Sequence, residues 1–252
     1  MNPVPRYKVK TRYATAVFPV THASVFERIR SRDDDTRRAA FDDLVTGYWR
    51  PAYQYVRVHL GLGAADAEDA VQGFFTIAFE KAYLEAFDPS RAHFRTFLRV
   101  CLDRFVANQR AAAHAGKRGG DVRLLSLDFP AAERDLMALP RVAGDAERFF
   151  HDETVRALFA RAIERMRRQL MADGKAIVMT VFERHDVEAA PATTYRSIAA
   201  ALDLTTAQVT NYLSLARRLF REAALAELRA IASTDEEFRR DARALFGATI
   251  DA

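Results

Sequence analysis

Cysteine is close to absent from this chain: Cys101 is the only one in 252 residues, so no disulfide framework can form. It lies between Val100 and Leu102 in a helical pattern, where a small core residue is expected. The six histidines are scattered and never fall at a Cys/His spacing that would hold zinc. No run of about 18 apolar residues marks a membrane span, and no charged-then-apolar stretch reads as a leader. A glycine-rich phosphate loop is missing too. The carboxylates sit at helix ends rather than in nucleophile-and-base groups, so the chain reads as a non-enzyme. Period-two alternation is absent over any useful length, which leaves an all-α fold as the expectation. A cytoplasmic location and no cofactor complete this reading by exclusion.

The residues that are present suffice for a core. With 50% apolar and 29% charged residues the composition is that of a globular protein, and the length suits two small helical domains joined by a linker. The formal charge of +4 is modest but uneven. Residues 91 to 123 hold eight Arg and Lys against two Asp, a local +6, so the remainder sums to −2. Such a stripe is either a footprint for a polyanion or a solvated helix face.

Residues 1–20, with Arg6, Lys8, Lys10, Arg12 and three prolines, read as a flexible basic arm. A helical domain is expected over 21–117. Its first long helix spans about 36–60, with Pro51 as a kink or break. A second covers 66–86, and a third is signalled by Asp88-Pro89 as cap and first-turn proline. Residues 118–150 suit a linker with one short helix. Helical patterning resumes over 151–232, and 233–252 form a charged tail with one more helix.

Within the C-terminal part, Tyr195 to Leu213 reads as a helix-turn-helix. Ala199, Leu202, Leu204, Val209, Leu213 and Ala216 would face inward. Thr206, Gln208, Asn211 and Ser214 are then left outside, followed by Arg217, Arg218 and Arg221 for phosphates. Asn and Gln suit bidentate readout of adenine, but Thr205 and Gln208 also have capping-box spacing, so Gln208 can serve either the helix end or DNA. The earlier segment Asp66-Ala-Glu-Asp-Ala-Val-Gln-Gly-Phe-Phe75 opens a helix with acids. Those acids can simply complement the helix dipole. Asp69, Gln72, Gly73 and Thr76 nonetheless share a face at i, i+3, i+4 and i+7, as a stripe for a basic partner helix would.

Asp66 to Phe75, Phe94-Arg-Thr-Phe-Leu98 and Tyr195-Arg-Ser-Ile-Ala199 onward resemble the extracytoplasmic-function sigma factors of bacterial RNA polymerase, over roughly residues 25 to 231. Lys117-Arg-Gly-Gly120 and the charged tail are similar to a divergent subgroup. The resemblance implies that the first domain binds the polymerase clamp and opens the minus-ten element, while the second binds the flap and the minus-thirty-five element. By position, Asp66, Glu68, Asp69 and Gln72 would meet core polymerase. Arg99, Arg104, Asn108 and Arg110, with Lys117 and Arg118, would meet promoter DNA. Four departures stand out: Phe97 where Trp is frequent, Arg104 for Asn, Asn108 for Asp, and Gly73 where Glu is usual. Gly73 would leave the clamp face one charge short, a charge that phosphorylation of Thr76 by a Ser/Thr kinase could restore. An anti-sigma protein, the tail or expression level are the other routes of control. A stand-alone helix-turn-helix regulator would account for 195–221 alone, and a polymerase-binding decoy for the first domain alone.

Overall fold

The computed structural model describes residues 25–81, 83–114, 127–138, 145–188 and 193–247. Every regular element among them is a helix: α1 Val25–Ile29, α2 Asp34–Val58, α3 Ala64–Glu80, α4 Phe94–His114, α5 Phe129–Ala138, α6 Ala146–Ala172, α7 Ala176–Phe182, α8 Tyr195–Leu202, α9 Thr206–Ile231 and α10 Asp235–Phe246. A 3-10 turn, Tyr83–Ala86, follows α3, and a π turn, Glu183–Val187, follows α7. No described helix is long and apolar enough to cross a membrane. The chain divides into two compact units. The larger comprises His22–Leu158 with Leu228–Asp241, the smaller Phe159–Glu227 with the residues from Ala242. The basic arm of residues 1–20 lies outside the described residues.

In the larger unit α2 starts where Asp33 accepts a 3.0 Å hydrogen bond from the Thr36 amide. Its apolar stripe, Ala40, Phe41, Leu44, Val45 and Tyr48, is buried. The helix runs on through Pro51 instead of breaking there, because Pro51 and its neighbours are buried and tertiary packing outweighs the lost backbone donor. α3 buries Val71, Phe74, Phe75 and Ala78 on the next face. Around Phe94, the first residue of α4, the rings of Phe26, Phe87 and Tyr48 stand 4.7, 5.3 and 5.3 Å away. Aromatic pairs of this kind add about 0.5–1.5 kcal/mol each beyond area burial. Cys101 is half-buried rather than fully in the core, and burial pushes its thiol up.

One expected boundary is corrected. Asp88-Pro89 does not open α4. The Asp88 carboxylate instead accepts the Ser90 amide at 2.9 Å and its hydroxyl at 2.7 Å, closing a turn, and the helix begins at Phe94. The short helix expected within a linker, α5, is packed on α2. Phe129 is 3% exposed, with Trp49 and Tyr53 at 5.4 and 5.2 Å. Glu133 accepts hydrogen bonds from the Arg57 guanidinium and from the Tyr53 hydroxyl, and Arg50 pairs with Asp135. Burial and the Glu133 contact together push the Tyr53 phenol up to about 12.

In the smaller unit α7, α8 and α9 share an apolar cluster of Val181, Ile198, Ala199, Val209 and Leu213, flanked by Tyr195, Leu202 and Leu204. Thr194 caps α8 in a reciprocal box with Ser197. α8 ends at Asp203, whose backbone is left-handed at φ 53°. The Leu204 amide there donates 2.9 Å to the Ala199 carbonyl, which satisfies a carbonyl that the helix end would otherwise leave open.

Candidate nucleic-acid interface

On α9 the division between inner and outer faces is sharp. Val209, Leu213 and Ala216 are buried, while Thr206, Gln208, Thr210, Asn211, Ser214 and Arg218 are exposed. Gln208 serves the helix end: its amide donates 3.1 Å to the Thr205 hydroxyl, and its side-chain oxygen accepts the Thr205 amide at 2.8 Å. The capping box was one of its two open readings, and it leaves only the Gln208 side-chain NH2 for anything else. Thr206, Thr210, Ser214 and Arg218 recur every four residues along one row. Thr210 was not singled out from the sequence, although the i+4 spacing to Thr206 and Ser214 would have found it. Its hydroxyl donates 2.9 Å to the Thr206 carbonyl, and that of Ser214 donates 2.9 Å to the Thr210 carbonyl. The Thr210 and Ser214 hydroxyls therefore present acceptors outward, and Asn211, beside this row, can offer donor and acceptor together. Arg196 on α8 is also exposed.

Arg217 departs from the phosphate-contact expectation. Its guanidinium donates to both Asp186 oxygens at 2.8 Å and lies 3.3 Å from His185 Nδ1. With only 17% of its side chain exposed, it is a structural tie between α9 and the π turn. Burial alone would raise the Asp186 carboxyl, but the Arg217 and His185 contacts outweigh it and hold it below the usual range.

α4 carries the other candidate residues, and they split into two groups. Arg104, Asn108 and Arg110 are exposed, and Arg110 donates 2.6 Å to the Leu60 carbonyl. Arg99 is not exposed toward solvent in the same way: its side chain is 20% exposed and bridges Glu147 of α6 and Asp103, each at 2.9 Å. The direct assignment of Arg99 to DNA is corrected accordingly, since its Nε and Nη1 are held by carboxylates. Thr96 also donates to Glu147, and Arg95 pairs with Asp241 of α10 at 3.0 Å. Phe97 packs at 5.3 Å from Phe87. Lys117 and Arg118 lie outside the described residues.

The acidic start of α3 presents Asp66 and Asp69 to solvent, with Glu68 and Gln72 half-buried. The four-residue stripe does not survive folding. Thr76 is only 6% exposed, so it is no surface site for a kinase in this fold. Gly73 faces α4, where a Cβ would come 3.3 Å from the Phe105 ring and 3.5 Å from Gln109 Nε2. Position 73 is a helix–helix contact, where an added side chain would press on the Phe105 ring, rather than an open place on a docking face. Among the described residues no group of acids, histidines and cysteine could hold a metal ion. Compared with the models of protein families, with curated proteins and with solved structures, the chain shows no match.

Proposed function

We propose that the chain is a bacterial RNA polymerase sigma factor of the extracytoplasmic-function type, which binds core polymerase through the start of α3 and promoter DNA through α4 and the α8–α9 pair. One observation carries the reading: a single helical chain presents an exposed acidic helix start, Asp66 and Asp69, together with an exposed polar and basic row on α9 opposite the buried apolar residues Val209 and Leu213. An acidic helix start suits a basic partner helix. The α8–turn–α9 geometry suits a helix-turn-helix whose second helix enters the major groove, with Asn211 reading a base edge and Arg218 on phosphate. Exposed Arg104, Asn108 and Arg110 suit strand-separated DNA, which basic grooves hold.

Core polymerase pull-down with and without promoter DNA tests this. Asp69→Arg is expected to weaken core binding. Asn211→Ala with Arg218→Ala is expected to leave core binding intact and to weaken promoter binding by the holoenzyme. Equal losses of core binding from both changes would sink the two-site assignment. Promoter binding in the absence of polymerase would favour a stand-alone regulator, and core binding without any DNA engagement would favour a decoy.

A further inference from the structure

The first half of α4 is saturated with carboxylates supplied by distant segments of the chain. Arg99 Nε meets Glu147 Oε2 at 2.9 Å across 48 residues of sequence, and Arg95 Nη1 meets Asp241 Oδ2 at 3.0 Å across 146. Arg95 and Asp241 are each 18% exposed, so this is no casual surface pair. Glu147 is gripped twice, by Arg99 and by Thr96. Burial would raise its carboxyl, but those two hydrogen bonds prevail and hold it below the ordinary range. At neutral pH it is therefore an anion. Beyond Asp103 the same helix changes character, and Arg104 and Asn108 are exposed. Arg95 and Arg99 are i and i+4, hence on one face, and a guanidinium fork that fits a carboxylate fits a phosphate equally well.

We infer that Glu147 and Asp241 act as internal stand-ins for phosphate, holding Arg95 and Arg99 closed in the free chain and yielding them to single-stranded nucleic acid when α6 and α10 let go. This inference rests on the reading of α4 as a nucleic-acid face. It explains why the more buried arginines of a basic helix sit on acids recruited from elsewhere in the larger unit. It also makes affinity self-limiting: the open half of α4, Arg104 to Arg110, makes first contact, and the closed half adds contacts only after the two carboxylates have been displaced.

The test is fluorescence anisotropy of a labelled, short single-stranded DNA of mixed sequence against the full chain over a range of salt. Glu147→Gln with Asp241→Asn keeps the shape and one acceptor oxygen of each side chain while removing the charge that competes. Binding is expected to tighten several-fold, and the slope of log K against log salt to steepen by about 0.7 for each phosphate gained, about 1.4 in all. Arg95→Ala with Arg99→Ala is expected to cancel that gain in the amide background and to change little in the parent. Neutralising Asp34 and Glu236 instead, two acids that contact neither arginine, controls for net charge and is expected to leave the slope alone. Unchanged affinity in a folded amide variant overturns the inference, as does a gain that survives removal of Arg95 and Arg99. If the double amide does not fold, each single amide is expected to show half the slope change, and its absence in both counts equally against the gate. Arg104→Ala with Arg110→Ala separates the two levels: weakened parent binding with inert amides leaves the α4 reading standing and removes the gate, whereas no effect of either set removes both.

Discussion

On α9 the apolar residues Val209, Leu213 and Ala216 do the packing, and the polar row is left outside; on α4 two of the cations are themselves packed, Arg95 against Asp241 and Arg99 against Glu147. A helix with a clean apolar seam can present its polar face without further support. α4 also has an apolar seam, Phe94, Leu98, Leu102 and Val106, yet elements from elsewhere in the chain cover a second of its faces, and charge has to be matched there. The same residue type thus has two fates, set by which neighbour arrives. Arg217 repeats the α4 pattern on α9, where the π turn brings Asp186 to it.

The contrast can be broken most severely at the seam. Leu213→Ala, at 1% exposure in the middle of the α7–α8–α9 cluster, is expected to cost about 2–5 kcal/mol in thermal or denaturant unfolding. Arg99→Ala is expected to cost clearly less, since its pairs are part-exposed; equal losses would erase the distinction between an apolar and an ionic seam. Asp186→Ala comes next. Removing one partner of a fully buried pair costs about 3–5 kcal/mol, and the partial exposure here reduces the expectation to about 2 kcal/mol. A double-mutant cycle with Arg217→Ala should recover a coupling of on the order of 1 kcal/mol. Strict additivity would show that the pair does not tie α9 to the π turn.

Titration sharpens the comparison with a smaller effect. Glu133, Glu147 and Asp186 are all held below their ordinary values in the fold. A depressed carboxyl contributes stability that is present above its unfolded value, near pH 4, and is lost as pH falls through the folded value. Unfolding temperature should therefore drop from pH 5 toward pH 3, and Glu147→Gln should flatten that drop. Glu153 has the opposite sign: burial, first among its causes, pushes it up, so its preference for the protonated form favours the fold at low pH and is lost as pH rises through the raised value. Its Oε2 has no hydrogen-bond partner among the described residues, and Glu153→Gln is expected to stabilise at neutral pH. The smallest effect is Gly73→Ala. Helix propensity favours Ala by about 1 kcal/mol, and the 3.3 Å approach to the Phe105 ring takes part of it back. Because Phe105 is only half-buried and can shift, a net gain of about 0.5 kcal/mol is expected.

Much of the scaffold was legible because helical periodicity is local. The long helix expected over 36–60 lies at 34–58, and the second, expected over 66–86, ends earlier, at Glu80. The inner residues of α8 and α9 were legible for the same reason: spacing fixes which side chains share a face. The start of α4 was misread, since Asp88 uses a capping chemistry that also closes turns, and a single residue does not say which. Of the candidate site, Asn211, Ser214, Arg218 and Arg104 are exposed as the pattern suggests. Arg99, Arg217 and Thr76 are not available in that way, and each was removed by a partner or by packing from another element.

What the sequence determined by itself is the all-helical class, the apolar faces and the unequal placement of charge, because these follow from residue type and a period of 3.6. What only the tertiary structure decided is the identity of the covered residues. Whether an arginine meets solvent or a carboxylate 146 positions away, as Arg95 meets Asp241, depends on which distant segment folds onto it. A guanidinium carries the same charge in either place, and nothing in its local spacing records the partner.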